Sequence, residues 1–477
     1  MKSYINKKGY VIKKKHYDNL LLEEIRKELT VKPNINEDYG TKAVPYKVYK
    51  EGKTKLYLPK FYAIKKLGKT VIKMSDGLDI DVVFKGSLRQ NQEIPTQKTL
   101  MQMKNIGGGL LSLPCGFGKT CIALYILSKL KKKTLIIVNQ EFLMDQWIDR
   151  INTFLPGLRI GKVQQKKVEI DGYDISLAML KSLAIKDYPD DTFNDIGFVI
   201  VDECHNIATK EYSKALQKIN SKYMLGLSAT PKRKDGLTKV IKWFIGDIYY
   251  QIQNTEPFEV LVERLIIKSD NKKYNKLLVN YKGKPFIAKM ITQVAEYDKR
   301  TKIIADKILE VIKNDSNVQI LLLSERKVLL NKIEELIKGK CSYGFFIGGM
   351  KQEEREESMK KQLILATFHI AREALDIKSL NTLFLATSKS DIIQAVGRIL
   401  REKHGKHMIV DIVDNFSSFA NQARNRLRYY NNKGYSVKDI YITDDGEIVD
   451  TFDRIKKNKI VKKKKNNNKP MFAMFKS

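Results

Sequence analysis

A short segment between a predicted strand and a predicted helix constrains the fold of this chain more than any other stretch. It reads Leu-Pro-Cys-Gly-Phe-Gly-Lys-Thr over residues 113–120, after an apolar run and before a segment of helical periodicity. Gly116 and Gly118 let backbone N–H groups turn toward an anion, and the helix N-terminus adds positive dipole there. Lys119 would contact the outer phosphates, and the Thr120 hydroxyl would bind Mg²⁺. The segment therefore predicts a polyphosphate-binding loop.

A second segment places acidic residues directly after a buried strand. The apolar run Ile196–Val201 continues into Asp-Glu-Cys-His at residues 202–205. In a parallel sheet this position lies at the same edge as the phosphate loop. We therefore expect Asp202 to hold Mg²⁺ together with the loop hydroxyl, and Glu203 to polarise the water that attacks a phosphate. His205 is a candidate link between the nucleotide and a neighbouring domain.

Further apolar runs alternate with segments of helical periodicity. These runs are Thr134–Val138, Ile175–Leu180 and Leu225–Ser228. The alternation predicts a doubly wound parallel sheet that binds ligands at the carboxyl ends of its strands. Ser228 and Thr230 follow the last run, and their hydroxyls can hydrogen-bond the acidic segment and sense a γ-phosphate. Upstream of the loop, Gln92 can bond adenine and Arg89 can hold the segment that carries it.

The first 85 residues predict a small module that is mainly β or α+β. Short runs at Tyr46–Tyr49, Leu56–Leu58, Thr70–Ile72 and Ile80–Phe84 are typical of strands, and residues 18–28 are typical of a helix. Aromatic residues interleave with lysines in this region: Tyr46, Lys47, Tyr49, Lys50, Tyr57, Lys60, Phe61 and Tyr62. Such a pattern belongs either to a stacking surface for nucleic acid or to a core, and the sequence leaves both open.

The charge balance indicates the class of partner. The 477 residues include 88 Lys and Arg against 54 Asp and Glu, a formal net charge of +34. A soluble chain with this imbalance usually binds a polyanion, and nucleic acid is the leading candidate. The alternative is that an A/T-rich genome raised the lysine content without selection for binding. Lysine and asparagine, both abundant here, each have a codon made only of A and T.

Cysteine and hydropathy patterns exclude other classes. The four cysteines (Cys115, Cys121, Cys204 and Cys341) have no metal-binding or disulfide-like spacing, which favours a reducing, intracellular setting. No apolar run approaches the roughly 18 residues of a membrane span, and the lysine-rich N-terminus lacks the apolar core of a signal peptide. The sequence predicts a soluble protein with no membrane partner.

Taken in order, these segments resemble superfamily 2 helicases across residues 88–410. Asp-Glu-Cys-His resembles their DEAH-type box, and Ser-Ala-Thr-Pro-Lys-Arg-Lys-Asp-Gly at 228–236 resembles a second motif. The loop has Leu113 where the usual pattern has glycine. Its Leu-Pro-Cys form resembles the branch that holds the large repair and transcription-factor helicase, phage UvsW and the poxvirus transcript-release helicase. The viral members are the most similar in size, and Leu58–Tyr62 resembles a segment of their N-terminal module.

The resemblance implies two tandem RecA-like domains that close on ATP and Mg²⁺, with a single strand lying across both. It implies nucleotide contacts at Arg89, Gln92, Pro114, Cys115, Gly116, Phe117, Gly118, Lys119, Thr120, His205 and Asp376. It implies nucleic-acid or coupling roles for Ser228, Thr230, Arg233, Ser324, Arg326 and Thr367. Gln394, Arg398 and Arg401 would complete catalysis from the second domain, with Arg401 as the arginine finger and Gln394 beside the water.

The predicted organisation has five parts. They are an accessory module at 1–85, a first RecA-like domain at 86–255, a linker or insertion at 256–295, a second RecA-like domain at 296–415, and a tail at 416–477. In the tail, Phe416–Tyr430 predicts a basic amphipathic helix that packs on the second domain and contacts nucleic acid. Lys456–Lys469 is of low complexity and predicts disorder.

The function predicted on this basis is an ATP-driven DNA helicase or translocase that acts as a monomer. DNA–RNA hybrid is a further candidate substrate. If the source is a virus, we expect the protein in the host cytoplasm and in the virion, with transcription or replication proteins as partners. An RNA helicase, an inactive nucleic-acid-binding scaffold and the translocating subunit of a restriction system remain alternatives.

Overall fold

The computed structural model describes residues 1–34, 43–114, 116–252, 259–281, 283–369, 377, 379–400 and 407–454. Within these ranges the chain forms two large, mostly parallel sheets with helices on both faces, preceded by a small module. Cys115, Asp376 and Arg401, three predicted site residues, lie outside the described residues. The predicted fold class is confirmed: two tandem RecA-like domains follow an N-terminal module.

The N-terminal module is built on a four-stranded antiparallel sheet in the order β1-β2-β6-β5. A second, two-stranded sheet pairs β3 with β4. The elements are β1 (Ser3–Asn6), β2 (Gly9–Lys13), α1 (Asn19–Glu28), β3 (Thr30–Val31), β4 (Tyr46–Lys47), β5 (Lys50–Glu51), β6 (Lys55–Leu58) and α2 (Lys60–Leu67). Tyr46, Tyr49 and Tyr62 are 6% exposed, so of the two alternatives for these residues the core is the one that the structure shows.

Two predicted strands of the module do not form. Residues Thr70–Ile72 touch β1 through one isolated bridge, between Ile5 and Ile72. Ile80–Phe84 lies extended beside the first domain, where the N–H of Ile80 donates to the carbonyl of Lys131. Each segment has the composition of a strand, but neither finds a partner strand long enough to continue a ladder.

The first RecA-like domain holds eight strands in the order β10-β9-β11-β8-β12-β13-β7-β14, all parallel except β10. Its elements are α3 (Gln90–Ile106), β7 (Gly108–Ser112), α4 (Lys119–Leu130), β8 (Thr134–Val138), α5 (Glu141–Phe154), β9 (Ile160–Gln164), β10 (Lys167–Val168), β11 (Ile175–Met179), α6 (Leu180–Ile185), β12 (Phe198–Val201), α7 (Ser213–Leu216), β13 (Tyr223–Ser228), α8 (Thr238–Ile245) and β14 (Ile248–Gln251).

Both faces of this first sheet are buried, as continuous apolar strands require. Along β8, Leu135 and Ile137 enter one core cluster while Ile136 and Val138 enter another. The first of these clusters also contains the apolar residues of the N-terminal module, such as Ile12. The module therefore shares a core with the first domain.

The second RecA-like domain holds eight strands in the order β17-β18-β16-β19-β20-β15-β21-β22, all parallel except β22. Its elements are β15 (Val260–Lys268), α9 (Ile287–Glu296), α10 (Asp298–Asn314), β16 (Ile320–Ser324), α11 (Lys327–Ile337), β17 (Tyr343–Phe346), α12 (Gln352–Met359), β18 (Leu363–Thr367), β19 (Thr382–Leu385), α13 (Ile393–Ile399), β20 (His407–Asp414), α14 (Ser417–Lys433), β21 (Ser436–Thr443) and β22 (Ile448–Arg454).

Two segments differ from the predicted organisation. Residues 260–268, assigned to a linker, form β15 in the interior of the second sheet, and residues 436–454, assigned to the tail, add β21 and β22 to the same sheet. Charges inside these runs hid their strand character. Arg264 donates to Asp439 at 2.8 Å, so the two charges neutralise each other inside the sheet. The predicted basic helix exists as α14.

Candidate ATPase site

The phosphate loop joins β7 to α4 and is shaped by two glycines. Gly116 and Gly118 have φ angles of 76° and 91°, a region in which glycine is favoured. A Cβ on Gly118 would lie 2.3 Å from Nε2 of Gln92. That same nitrogen donates to the carbonyl of Phe117 at 2.8 Å. Gln92, predicted to contact adenine, is 2% exposed and braces the loop.

Lys119 and Thr120 are the first two residues of α4, where the helix dipole is positive. The Lys119 ammonium donates to the carbonyl of Leu113 at 3.4 Å, so it lies over its own loop. Pro114 ends the strand side of the loop, and Arg89 is the residue before α3. The Arg89 N–H donates to the Gln92 side chain at 3.0 Å.

The two acids lie at the carboxyl end of β12, beside the loop. Asp202 accepts hydrogen bonds from the Trp147 indole at 2.9 Å and from the Glu203 N–H at 2.9 Å. Glu203 has a φ of 43°, a left-handed conformation that is uncommon for a residue with a side chain. This turn gives the neighbouring carboxylates different surroundings.

The charges around the two acids separate their protonation behaviour. Burial and the charge of Glu203 raise the pKa of Asp202, against the opposing effects of Trp147 and Lys119. Burial acts to raise the pKa of Glu203 as well. The close approach of His205, and the charges of Lys119, His205 and Arg398, outweigh burial and lower that pKa to about 2. Glu203 is therefore held as a carboxylate.

A short chain of contacts connects the acids to the end of β13. His205 Nδ1 lies 3.2 Å from Oε2 of Glu203 and 3.1 Å from Oγ of Ser228. The Thr230 N–H donates to the same hydroxyl at 3.1 Å. Arg233 donates to the carbonyl of His205 and forms an ion pair with Asp235. The predicted contact between Ser228 and the acidic segment is thus present, through His205.

The second domain faces these contacts around His205 across a cavity of about 310 Å³. His205, Thr230 and Arg233 line it from the first domain, and Phe368, Lys389 and Gln394 line it from the second. An ion pair of 3.4 Å between Lys234 and Asp391 crosses between the domains. Arg398 lies on α13, 9% exposed, and acts on the pKa of Glu203. Gln394 is therefore brought to the cavity that His205 lines, and the charge of Arg398 reaches Glu203.

The remaining predicted coupling residues have structural partners. Ser324 is fully buried at the end of β16 and donates to the carbonyl of Arg326 at 2.8 Å. The Arg326 guanidinium donates to Thr292 at 2.8 Å and to the carbonyl of Ala288 at 2.7 Å. Thr367, at the end of β18, is partly exposed. Thr367 and Arg326 are therefore accessible to a ligand, whereas Ser324 is not.

Comparison with known proteins follows the same division of the chain. Residues 85–233 match the family described as the res subunit of type III restriction enzymes, and residues 303–403 match the helicase conserved C-terminal domain. A protein of Acanthamoeba polyphaga mimivirus, provisionally named an ATP-dependent RNA helicase, is 35% identical over 93% of this chain and 88% of its own length. The chain belongs to the superfamily 2 helicases.

Other viral proteins are similar to this helicase. An African swine fever virus protein, provisionally named an ATP-dependent RNA helicase, is 25% identical over 69% of this chain and 69% of its own. A helicase-named protein of invertebrate iridescent virus 6 is 26% identical over 75% of this chain and 84% of its own. The solved structure of phage T4 UvsW covers 92% of this chain with 100% of its own, at 17% identity and a TM-score of 0.35.

The residues of this helicase fit a bound Mg²⁺. A hydroxyl from Thr120 and a carboxylate from Asp202 are hard oxygen donors of the kind that Mg²⁺ prefers, and such sites need few protein ligands because phosphates supply the rest. Within the described ranges, no group of three or more His, Cys, Asp or Glu residues could hold a metal by itself. Likewise, no described helix combines the length and the hydrophobicity that crossing a membrane requires.

Trp147 is the functional residue that the sequence analysis missed. It lies on α5, is 1% exposed, and fixes one oxygen of Asp202. The sequence offered one signal, since a buried tryptophan needs an acceptor for its indole N–H. Trp147 thus packs in the core and holds Asp202 at the same time.

Proposed function

We propose that this helicase hydrolyses ATP between its two RecA-like domains and uses the cycle to move along and unwind or remodel nucleic acid. One observation carries the proposal. His205 of the first domain and Gln394 of the second line one cavity, and Lys234 and Asp391 form an ion pair across it at 3.4 Å. Groups from both domains thus act on one reaction centre, so hydrolysis and relative movement of the domains are coupled.

Each residue has a role in this proposal. The N-terminus of α4 and Lys119 bind the phosphates, while Thr120 and Asp202 hold Mg²⁺. When bound, Mg²⁺ supplies charge neutralisation on the phosphate oxygens. Glu203, a carboxylate at neutral pH, orients and polarises the attacking water. Arg398 and Arg401 stabilise the charge of the transition state, and Gln394 positions the water from the other side.

The contacts of His205 give a route from the phosphates to the domain interface. His205 touches both Glu203 and Ser228, and Ser228 accepts the Thr230 N–H. His205 and Thr230 also line the cavity that the second domain closes. Loss of the γ-phosphate would alter the position of Glu203. Through His205 this movement would reach the residues that line the cavity. Arg233, Thr367 and Asp376 are proposed to complete the coupling to the strand.

The net charge of +34 supports nucleic acid as the track. We propose DNA, alone or in a hybrid with RNA, as the favoured substrate, and a role in viral transcript release or in DNA repair and recombination. RNA is the second candidate, because the mimivirus and African swine fever virus relatives carry the name of RNA helicases. The protein would act as a monomeric motor with transcription or replication partners, in the host cytoplasm and in the virion.

One experiment tests the substrate. ATP hydrolysis and strand displacement are measured with DNA, RNA and hybrid substrates of equal length, with Lys119→Ala as the inactive control. Stimulation is expected to be greatest with strands that contain DNA. Stimulation by RNA alone would replace DNA with the second candidate. A rate of ATP hydrolysis that stays at background with every strand would contradict the motor function and support a nucleic-acid-binding scaffold.

A further inference from the structure

The four-stranded sheet of the N-terminal module has two faces of different character. Its inner face joins the core, together with residues of α1 and α2, through Ile5, Tyr10, Ile12, Leu56 and Leu58. Its other face, here called the outer face, carries Tyr4, Val11 and Tyr57 in one row across three strands. Since side chains alternate along a strand, aromatic residues on the outer face are not needed for the core.

The outer face presents two tyrosines at a regular separation. Tyr4 lies opposite Val11, and Val11 lies opposite Tyr57, so the tyrosines are two strands apart, about 10 Å. Both tyrosines are partly exposed, whereas Val11 between them is fully buried. The face is therefore covered by its own aromatic side chains, which leaves ring surface accessible to a flat ligand.

Lysines surround these rings. Nζ of Lys73 lies 5.6 Å from the centroid of the Tyr4 ring, and Nζ of Lys55 lies 5.9 Å from it. Lys50 pairs across the strands with Tyr57. Among the four strands of this sheet the one acidic residue is Glu51, whose carboxylate pairs with Lys14 and Arg26 at 2.8 Å. The outer face thus has a strong positive charge.

The positive surface continues onto the first domain. Tyr57 and Lys50 line a cavity of about 310 Å³ together with Tyr188 and Lys218 of that domain. Three acids line it as well, and each has a cationic partner: Glu51 has Lys14 and Arg26, Asp187 lies 3.5 Å from Lys218, and Asp190 lies 2.9 Å from Lys8. Burial, followed by the charges of Lys218 and Lys8, lowers the pKa of Lys50. An anion in this cavity would relieve that repulsion.

We propose that the outer face binds single-stranded nucleic acid, with bases stacked on Tyr4 and Tyr57 and phosphates held by Lys50, Lys55 and Lys73. Aromatic rings among lysines match the alternation of flat bases and charged phosphates in a single strand. A duplex would keep its bases stacked on one another and leave the rings unused. This site is separate from the ATPase site, and it deepens the proposed function because it gives the motor a second grip on its track.

The test measures, by fluorescence anisotropy and without ATP, the binding of the full chain to a labelled single strand of 12 nucleotides. Stacking contributes about 1–3 kcal/mol per base, so Tyr4→Ala with Tyr57→Ala should weaken binding at least tenfold. Tyr4→Phe with Tyr57→Phe should bind within about twofold of the parent, because the rings remain. Lys55→Gln with Lys73→Gln should reduce the slope of log affinity against log salt by about 0.7 per lysine.

Tyr441→Ala is the matched control, since this tyrosine also lies beside a lysine, with Lys268 Nζ 4.8 Å from its ring, but in the second domain. It should leave affinity unchanged. Unchanged affinity in the alanine pair on the outer face would overturn the proposal. So would an equal loss for duplex, or a loss in the lysine pair without one in the tyrosine pair, because both outcomes indicate a surface that recognises charge alone.

The design separates this proposal from the proposed function. Binding is measured without ATP, and ATP hydrolysis by the tyrosine variants is measured without nucleic acid and should equal that of the parent. If no strand stimulates hydrolysis by the parent protein, the motor is wrong, while a tenfold loss of binding in the tyrosine pair would still establish the site.

Discussion

Carboxylates occupy comparable positions in the two RecA-like domains but have opposite surroundings. In the first, Asp202 and Glu203 end β12 beside the phosphate loop and close to the cavity between the domains. In the second, Asp411 and Asp414 lie on β20, and each holds an arginine. Arg426 donates to Asp411 at 2.9 Å, and Arg300 donates to Asp414 at 2.7 Å. We infer that the first pair is available to a ligand, whereas each acid of the second pair is bound by an arginine of the protein.

The two sets differ in exposure as well as in partners, because Asp202 and Glu203 are partly exposed. Arg300, Arg426 and their two aspartates are each at most 1% exposed. Burial opposes the charge of Arg426, but Asp411 outweighs this effect and raises the pKa of the guanidinium. A buried pair of this kind contributes little net stability against an apolar pair, yet the loss of one partner leaves an uncompensated charge. We therefore expect substitutions in the first set to impair chemistry and those in the second to impair folding.

The largest effect should come from Glu203→Gln, which keeps the shape of the side chain and removes its charge. We expect kcat for ATP hydrolysis to fall by about 100- to 10,000-fold, because the water loses the group that polarises it. Nucleotide binding should be retained, since the phosphates are held by Lys119 and α4. Steady-state hydrolysis and titration with a fluorescent ATP analogue measure the two quantities.

Lys119→Ala is the counterpart of that variant, because it should abolish binding itself. Thermal unfolding should be similar for both variants and the parent. If Glu203→Gln kept hydrolysis that nucleic acid stimulates, the assignment of the polarising residue would be wrong, and the comparison between the domains would lose its reactive half.

The next effect concerns stability. Arg426→Met leaves Asp411 buried with the more distant Arg264, whose Nε lies 3.9 Å from Oδ2, and should destabilise the second domain by about 3 kcal/mol. The exposed Arg424 lies on the same helix, so Arg424→Met is a matched control expected to change stability by less than about 0.5 kcal/mol. Urea unfolding followed by circular dichroism compares the two. Equal stability for both variants would show that the buried pair has no structural role.

The same arginine shows where sequence analysis reached its limit. Arg424, Arg426 and Arg428 lie on one predicted basic helix, and nothing in their spacing distinguishes one from another. In the structure Arg424 and Arg428 are exposed, while Arg426 is 1% exposed against Asp411. Long-range partners decide this, because Asp411 comes from a neighbouring strand. The same applies to β15. Its charged Arg264 argues against an interior strand in the sequence, and only the fold brings Asp439 beside it to neutralise the charge.

The first domain was predictable because its chemistry is local. A phosphate loop needs glycines, a lysine and a helix start within eight residues, and these requirements are readable in order along the chain. The acids after β12 were equally readable from a strand that ends in charge. Contacts made across the fold were not, including Trp147 on Asp202 and Gln92 under the loop.

Trp147→Phe tests a smaller contribution to the reactive set. It keeps an aromatic ring and removes the hydrogen bond to Asp202, which should weaken apparent Mg²⁺ affinity roughly tenfold, since such bonds to charged groups contribute about 1.5 kcal/mol or more. The Mg²⁺ dependence of nucleotide binding measures this effect. In Trp243→Phe protein, Trp147 is the remaining tryptophan, so its emission should change when Mg²⁺ and nucleotide bind. Unaltered Mg²⁺ dependence in Trp147→Phe would reduce this residue to packing.

The last prediction concerns a charge that belongs to neither set. Lys60, at the contact between the N-terminal module and the first domain, is 6% exposed and donates to the carbonyls of Ser221 at 2.9 Å and Lys222 at 3.1 Å. Burial lowers its pKa to about 7. The unfolded chain, with an ordinary lysine pKa of about 10.4, binds more protons between these values. Stability should therefore rise with pH across that window, by at most about 1.4 kcal/mol per pH unit.

Lys60→Met removes this titration and should flatten the rise in unfolding free energy between pH 7 and pH 9, as measured by urea unfolding at several pH values. Lys7 at the same contact, whose pKa burial lowers to about 8, should leave a residual slope. Lys222→Met is the matched control, because Lys222 forms an ion pair with Asp76 near the surface and should keep the slope of the parent. If the unfolding free energies of the parent and of Lys60→Met had the same slope against pH, Lys60 would remain charged in its buried position. It would then resemble the buried charges of the second domain.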